Sequence, residues 1–202
     1  MVNTQDQLIL FIKNIMYIQT EETPNPNAVK FIPGIIVNND SPIFFSSIEA
    51  VQNSFLSYKL FLNKGVEGVF LGSDFITITK AEKISWETLK RDIIITLTDH
   101  FASGLKVFDK EDVAREEKEE IDISTLSEIE KQIVEIIEKN VRPSVAMDGG
   151  DIVYKGFENG IVKLELRGSC SGCPSSTITL KSGIESMLKH YVPEVISVEA
   201  IN

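Results

Sequence analysis

Cysteine and histidine are scarce in this sequence, which has two residues of each among 202. The two thiols, at Cys170 and Cys173, lie too close together to cross-link distant parts of a fold, so a disulfide framework is excluded. A structural zinc site usually takes four Cys or His ligands. The histidine nearest to the thiols, His190, falls near the far end of the helix predicted to follow them, which argues against a zinc site within one chain.

Long apolar runs and a surplus of basic residues are also lacking. No apolar run approaches the roughly 18–20 residues that span a bilayer, so no membrane partner is expected. Residues 8–12, LILFI, are too short for a secretory core, and residues 1–16 do not resemble an Arg-rich mitochondrial presequence. We therefore expect an intracellular protein with reduced thiols. The net charge of −10 argues against nucleic acid as a partner.

The acidic charge is concentrated in one stretch, residues 109–122. This stretch carries eight acidic and three basic side chains, and therefore half of the net charge of the chain. It has almost no apolar residues, which is typical of a solvated linker. The sequence therefore predicts two small α+β domains joined by an acidic linker.

Before the linker, the pattern of apolar residues predicts two strands, a helix, a hairpin and a second helix. The predicted elements are a strand–turn–strand over 16–34, a helix over 46–63, a hairpin over 65–80 and a helix over 85–101. Neither a nucleophile with a neighbouring base nor a phosphate-binding loop is visible in this part of the chain. We assign no chemistry to it.

After the linker, the sequence predicts a helix, a hairpin, a second helix and a final strand. Thr125 and Glu128 fit a capping box, and Pro143 is expected to end the helix that follows. Asn159 and Gly160 suit the tight turn of a hairpin. The remaining predicted elements are a helix over about 176–191 and an edge strand over 195–200.

Both cysteines lie in the segment GSCSGCPSSTITLKSG, residues 168–183, between the predicted end of a strand and the start of a helix. Pro174 is favoured in the first turn of a helix. Backbone N–H groups and the positive end of the helix dipole stabilise anions there, so a thiolate is expected to be favoured. The preceding MDGGD segment, residues 147–151, is expected to form a turn that supports this cysteine loop, with direct contact to a cluster or partner as the alternative.

Three kinds of chemistry suit one C-x-x-C pair. A thiol–disulfide oxidoreductase would use both thiols within one chain. Two chains related by a two-fold axis would instead supply four thiolates, the set that holds [2Fe–2S] and [4Fe–4S] clusters. Zinc could occupy the same site between subunits. A site between subunits opens when the dimer opens, which suits a carrier that releases its cargo.

Several segments together resemble one family. The segments MDGGD, GSCSGCPSSTITLKSGIE and YVPEV, at 147–151, 168–185 and 191–195, resemble the NifU-like C-terminal domain. The segments YIQTEETPNPNAVKFIPG and SDFITITK, at 17–34 and 73–80, resemble the N-terminal domain of the Nfu scaffold proteins.

The resemblance implies an iron–sulfur cluster scaffold or carrier that is not an enzyme. Its cluster, with [4Fe–4S] favoured and [2Fe–2S] possible, would be bound by Cys170 and Cys173 and shared between the two subunits of a homodimer. An upstream donor would supply the cluster, and apo-proteins would receive it. Localisation is expected to be cytoplasmic, or in the mitochondrial matrix for a eukaryotic source.

The same resemblance sets the expected domain boundaries. They are an N-terminal extension over 1–15, an Nfu-type domain over 16–108, the acidic linker over 109–122 and a NifU-like domain over 123–202.

Overall fold

A computed structural model of the chain describes residues 17–39, 41–108, 125–171 and 174–201, without the side chains of 174–177. The predicted N-terminal extension and acidic linker lie outside the described residues. We call residues 17–108 the N-terminal half and residues 125–201 the C-terminal half.

The N-terminal half is one antiparallel sheet of five strands in the order β1-β2-β5-β4-β3, with two helices. The elements are β1 Gln19–Glu22, β2 Ala28–Ile32, β3 Ile43–Phe45, α1 Phe55–Phe61, β4 Val66–Leu71, β5 Ile76–Lys80 and α2 Trp86–Ala102.

The core of this half is formed by apolar side chains of the sheet and of both helices. In α2, Leu89, Ile93 and Leu97 recur every four residues, so they share one face of the helix and are all buried. The predicted start of α2 is confirmed, since the Ser85 side chain accepts a hydrogen bond from the backbone N–H of Glu87.

The helix predicted over 46–63 is wrong in its first half. Helix α1 begins only at Phe55, because the Ser54 side chain accepts a hydrogen bond from the Ser57 backbone and caps the helix there. Just before it, the amide of Val51 bonds to the carbonyl of Ile48 in a short turn. The apolar spacing fits a helix that begins at residue 46 as well as one that begins at Phe55. The capping side chain of Ser54 decides for the shorter helix.

The C-terminal half is a sheet of three strands in the order β6-β7-β8, packed with helices. The elements are α3 Glu128–Ile136, a π-helical segment Ile137–Val141, α4 Arg142–Met147, β6 Gly150–Glu158, β7 Ile161–Gly168, α5 Pro174–Tyr191 and β8 Ser197–Ile201.

The predicted hairpin and edge strand are confirmed. Asn159 and Gly160 both have positive φ, 52° and 79°, as the tight turn between β6 and β7 requires. Strand β8 pairs with β7 in the parallel direction, which is possible because α5 provides the crossover connection. Both halves therefore combine helices with a sheet, and the α+β class is confirmed.

Two predictions about the first helix of this half are wrong. The capping box is formed by Ser127 and Glu130, which exchange hydrogen bonds between side chain and backbone, and not by Thr125 and Glu128. Pro143 does not end the helical run but lies in the first turn of α4. Proline is tolerated there because its missing N–H would have no partner within the helix.

No helix in the described ranges is both long enough and apolar enough to cross a membrane.

Candidate functional site at the cysteine loop

Cys170 lies two residues beyond the end of β7, and its side chain points into the molecule. It is 7% exposed and belongs to the apolar core of the C-terminal half. The opposing strand approaches it closely at Gly150, where a Cβ atom would lie 2.7 Å from the Cys170 Sγ atom. Gly168, with a φ of 66°, turns the chain out of the strand toward this position. Cys173, the second predicted site residue, lies outside the described residues.

Burial controls the ionisation of Cys170. Loss of solvent raises the pKa of the thiol to about 11. The Ser169 hydroxyl, 3.8 Å from Sγ, lowers the pKa, whereas the carboxylates of Asp148 and Asp151 raise it further. The expectation of a favoured thiolate is therefore wrong for Cys170. Its sulfur lies in the apolar core of the C-terminal half, where burial is the largest influence on its pKa.

The MDGGD segment forms the turn between α4 and β6, and the cysteine loop is bonded to it. Ser169 donates two hydrogen bonds to the turn, from its hydroxyl to the Asp148 carbonyl at 2.6 Å and from its amide to the Gly149 carbonyl at 3.2 Å. Asp151 accepts hydrogen bonds from the Arg142 guanidinium, the nearer at 2.8 Å. The turn therefore supports the loop that carries Cys170.

The N-terminal half contacts the cysteine loop directly, which sequence reasoning did not predict. The buried side-chain amide of Asn25 donates hydrogen bonds to the carbonyls of Ser169 and Ser171, at 3.0 and 3.1 Å. These two carbonyls lie on either side of Cys170. Asn25 falls within the strand–turn–strand predicted over 16–34, and no local pattern in the sequence indicates a partner 144 positions away.

Two further contacts bind the N-terminal half to the supporting turn. The buried hydroxyl of Thr77, on β5, donates to the Gly149 carbonyl at 2.7 Å. The Lys30 ammonium donates to the Met147 carbonyl at 3.2 Å. The N-terminal half therefore contacts the backbone of the cysteine loop through Asn25, and the backbone of the supporting turn through Thr77 and Lys30.

Within the ranges that the structure describes, no group of three or more His, Cys, Asp or Glu side chains could hold a metal ion.

Both halves match known families. Residues 18–104 match the family described as "Scaffold protein Nfu/NifU N terminal", and residues 133–199 match "NifU-like domain". The chain is 48% identical, over 187 residues, to the human protein named "NFU1 iron-sulfur cluster scaffold homolog, mitochondrial", covering 92% of this chain and 72% of that protein. The chain belongs to the NFU1 iron–sulfur cluster scaffold family. This confirms the resemblance found in the sequence, in both halves and in the same order.

A second relative and one solved structure are also similar to this chain. The homologue of the same name from Drosophila willistoni is 41% identical over 200 residues, covering 98% of this chain and 68% of that protein. A solved NifU-like protein from Saccharomyces cerevisiae is 32% identical and aligns with 48% of this chain and 88% of its own, with a TM-score of 0.44.

The close approach at Gly150 leads to a stability prediction. In Gly150→Ala, the new Cβ would lie 2.8 Å from the Arg167 carbonyl as well as 2.7 Å from Cys170 Sγ. Backbone and core must shift, so we expect a loss of about 2 kcal/mol in the free energy of unfolding, measured by urea denaturation. The matched control is Gly183→Ala in α5, where a Cβ meets nothing within 4 Å. That change should stabilise the protein by up to about 1 kcal/mol, and equal effects of the two changes would contradict the prediction.

Proposed function

We propose that this protein carries an iron–sulfur cluster as cargo, binding it through Cys170 and Cys173 from each of two copies of the chain. The [4Fe–4S] form is favoured. The observation that carries the proposal is the C-x-x-C pair itself, located in the half that matches the NifU-like family of a chain belonging to the NFU1 scaffold family. An upstream donor would supply the cluster, and apo-proteins would receive it.

The ligand requirement supports a site between two chains. A cluster held by cysteine takes four thiolates, and each chain has two cysteines in total. Two copies related by a two-fold axis would therefore complete the set. During delivery, each client thiolate would form a bond to iron as a bond from Cys170 or Cys173 breaks. This exchange needs no oxidant or reductant.

The buried position of Cys170 places a condition on this mechanism. A sulfur that packs against Gly150 in the core of one chain cannot also face a second chain. Binding therefore requires the cysteine loop to turn Cys170 outward.

The remaining expectations are proposals of the same kind. We propose that the protein is a scaffold and not an enzyme, as the names of the relatives indicate. Those names also say "mitochondrial", which favours the mitochondrial alternative over the cytoplasm. We also propose the domain boundaries that the sequence predicts, with an N-terminal extension over 1–15, the Nfu-type domain over 16–108, the linker over 109–122 and the NifU-like domain over 123–202.

Anaerobic reconstitution with iron and sulfide tests this function. We expect Mössbauer spectra of a cubane cluster at about one cluster per two chains, with a dimer mass for the loaded sample. Transfer of the cluster to an apo-client under reducing conditions should follow. A colourless zinc-containing dimer, or a monomer that reduces disulfides without iron, would overturn the proposal.

A further inference from the structure

The contact between the N-terminal half and the cysteine loop is directed at backbone on both sides of Cys170. The side-chain amide of Asn25 donates to the carbonyls of Ser169 and Ser171, and the Thr77 hydroxyl donates to the carbonyl of Gly149 in the supporting turn. Carbonyls held in this way cannot rotate without breaking their hydrogen bonds. Since a residue's side chain turns with its backbone, the bonds on either side also hold the orientation of Cys170.

Asn25 is itself held in the orientation that makes these bonds. Its side-chain carbonyl accepts a hydrogen bond from the backbone N–H of Asn27 at 2.9 Å, and its own backbone N–H donates to the Thr23 hydroxyl at 3.2 Å. The side-chain NH₂ group is thereby directed toward the cysteine loop. Asn25 is 1% exposed, so its two donors are shielded from water while they bond to the loop.

The packing around the contact is close as well. A Cβ atom at Gly168 would lie 3.1 Å from the Phe70 ring, and one at Gly149 would lie 2.8 Å from the Thr77 hydroxyl. Side chains of the N-terminal half thus pack directly against the end of β7 and against the supporting turn, on either side of the cysteine loop's contacts. A second chain that approached Cys170 from this side would have to displace them.

We propose that the N-terminal half is an internal latch that holds the cysteine loop with Cys170 turned inward, and that loading of a shared cluster requires its release. Asn25 is then a positioning residue that acts through the backbone of the loop. The N-terminal half and a second copy of the chain compete for the same loop. This inference rests on the proposed function for the nature of the cargo, but the latch itself can be tested without any cluster.

The test uses Asn25→Asp in the full chain. Aspartate keeps the oxygen that accepts from the Asn27 amide, so the turn is retained. It loses both donors and places a negative oxygen beside the carbonyls of Ser169 and Ser171. The matched control is Asn27→Asp in the same turn, where the side-chain oxygen accepts from the Lys80 ammonium at 2.9 Å and aspartate can do the same.

The readout is the rate at which a maleimide labels Cys170 in the cluster-free protein at one fixed pH, measured by peptide mass spectrometry. We expect Asn25→Asp to raise this rate on the order of tenfold, because two buried hydrogen bonds are replaced by a repulsion. Asn27→Asp should stay within about twofold of the unaltered protein, since its contact is conserved. Equal rates in the two variants would overturn the latch.

A second variant covers the case in which Asn25→Asp fails to fold. Thr77→Val removes only the donor to the Gly149 carbonyl and keeps nearly the same shape. It should raise the labelling rate several-fold, since one hydrogen bond is lost, and should leave circular dichroism unchanged. An unchanged labelling rate in this folded variant would likewise contradict the latch.

Cluster uptake separates failure of the latch from failure of the proposed function. If both hold, Asn25→Asp takes up iron and sulfide faster than Asn27→Asp and reaches the same final content. If the unaltered protein loads a cluster but the two variants label and load at equal rates, the latch is wrong and the carrier function stands. If Asn25→Asp labels faster but no variant loads a cluster, the latch stands and the carrier function fails.

Discussion

Replacing Cys170 by serine is expected to remove essentially all cluster binding after anaerobic reconstitution. A hydroxyl is a poor substitute for a thiolate on iron, and two such chains together would retain only two of the four thiolates that a cluster takes. The measurement is iron and sulfide content per chain, together with the Mössbauer signal. A retained cubane signal at full content in this variant would show that Cys170 is not a ligand.

The buried position of Cys170 makes a second variant necessary. Serine at this position places a hydroxyl in an apolar core, which costs about 1–3 kcal/mol if the group finds no partner. Cys170→Ala avoids that cost but removes the sulfur equally. We therefore expect equal loss of cluster in the two variants and different stability. If cluster content followed stability instead, the loss would reflect damage to the fold.

A control in the same loop is Ser171→Ala. Its hydroxyl donates to the Gly168 carbonyl at 2.8 Å, so the change removes one hydrogen bond from the loop while both thiols remain. This variant should still load a cluster.

Replacing Arg142 by methionine is expected to lower the free energy of unfolding by about 3–5 kcal/mol. The guanidinium donates to both carboxylate oxygens of Asp151, whose side chain is only 3% exposed, so the change leaves a buried negative charge without its partner. The same contact raises the pKa of Arg142, so the guanidinium stays charged as the pH rises. Urea denaturation measures the loss.

The matched control is Glu138→Gln, which removes the other ion-pair partner of Arg142. Glu138 is about half exposed, and an exposed pair contributes at most about 1 kcal/mol. In Arg142→Met combined with Asp151→Asn, the buried group is neutral, so part of the lost stability should return. If Arg142→Met lowered the free energy of unfolding no more than Glu138→Gln does, the buried ion pair with Asp151 would not stabilise the protein more than the exposed pair with Glu138.

Local chemistry explains which elements could be predicted. Asn159 and Gly160 tolerate positive φ better than other residues, so the hairpin was identified from two positions. The start of the helix predicted over 85–101 is similarly local, since the side chain of Ser85 caps it. By contrast, two overlapping Ser/Thr-x-x-Glu patterns begin at Thr125 and Ser127, and sequence alone did not distinguish which would form the capping box.

The sequence by itself determined the order of most elements, the α+β class and the loop that carries both cysteines, because these depend on residue types within a few positions of each other. Only the tertiary structure decided that Cys170 points inward and that Asn25 holds the backbone on both sides of it. Both facts depend on packing between segments that are distant in the chain, and the contact between Asn25 and Ser169 spans 144 positions. Such contacts leave no periodic pattern in either segment, so they are visible only once the chain is folded.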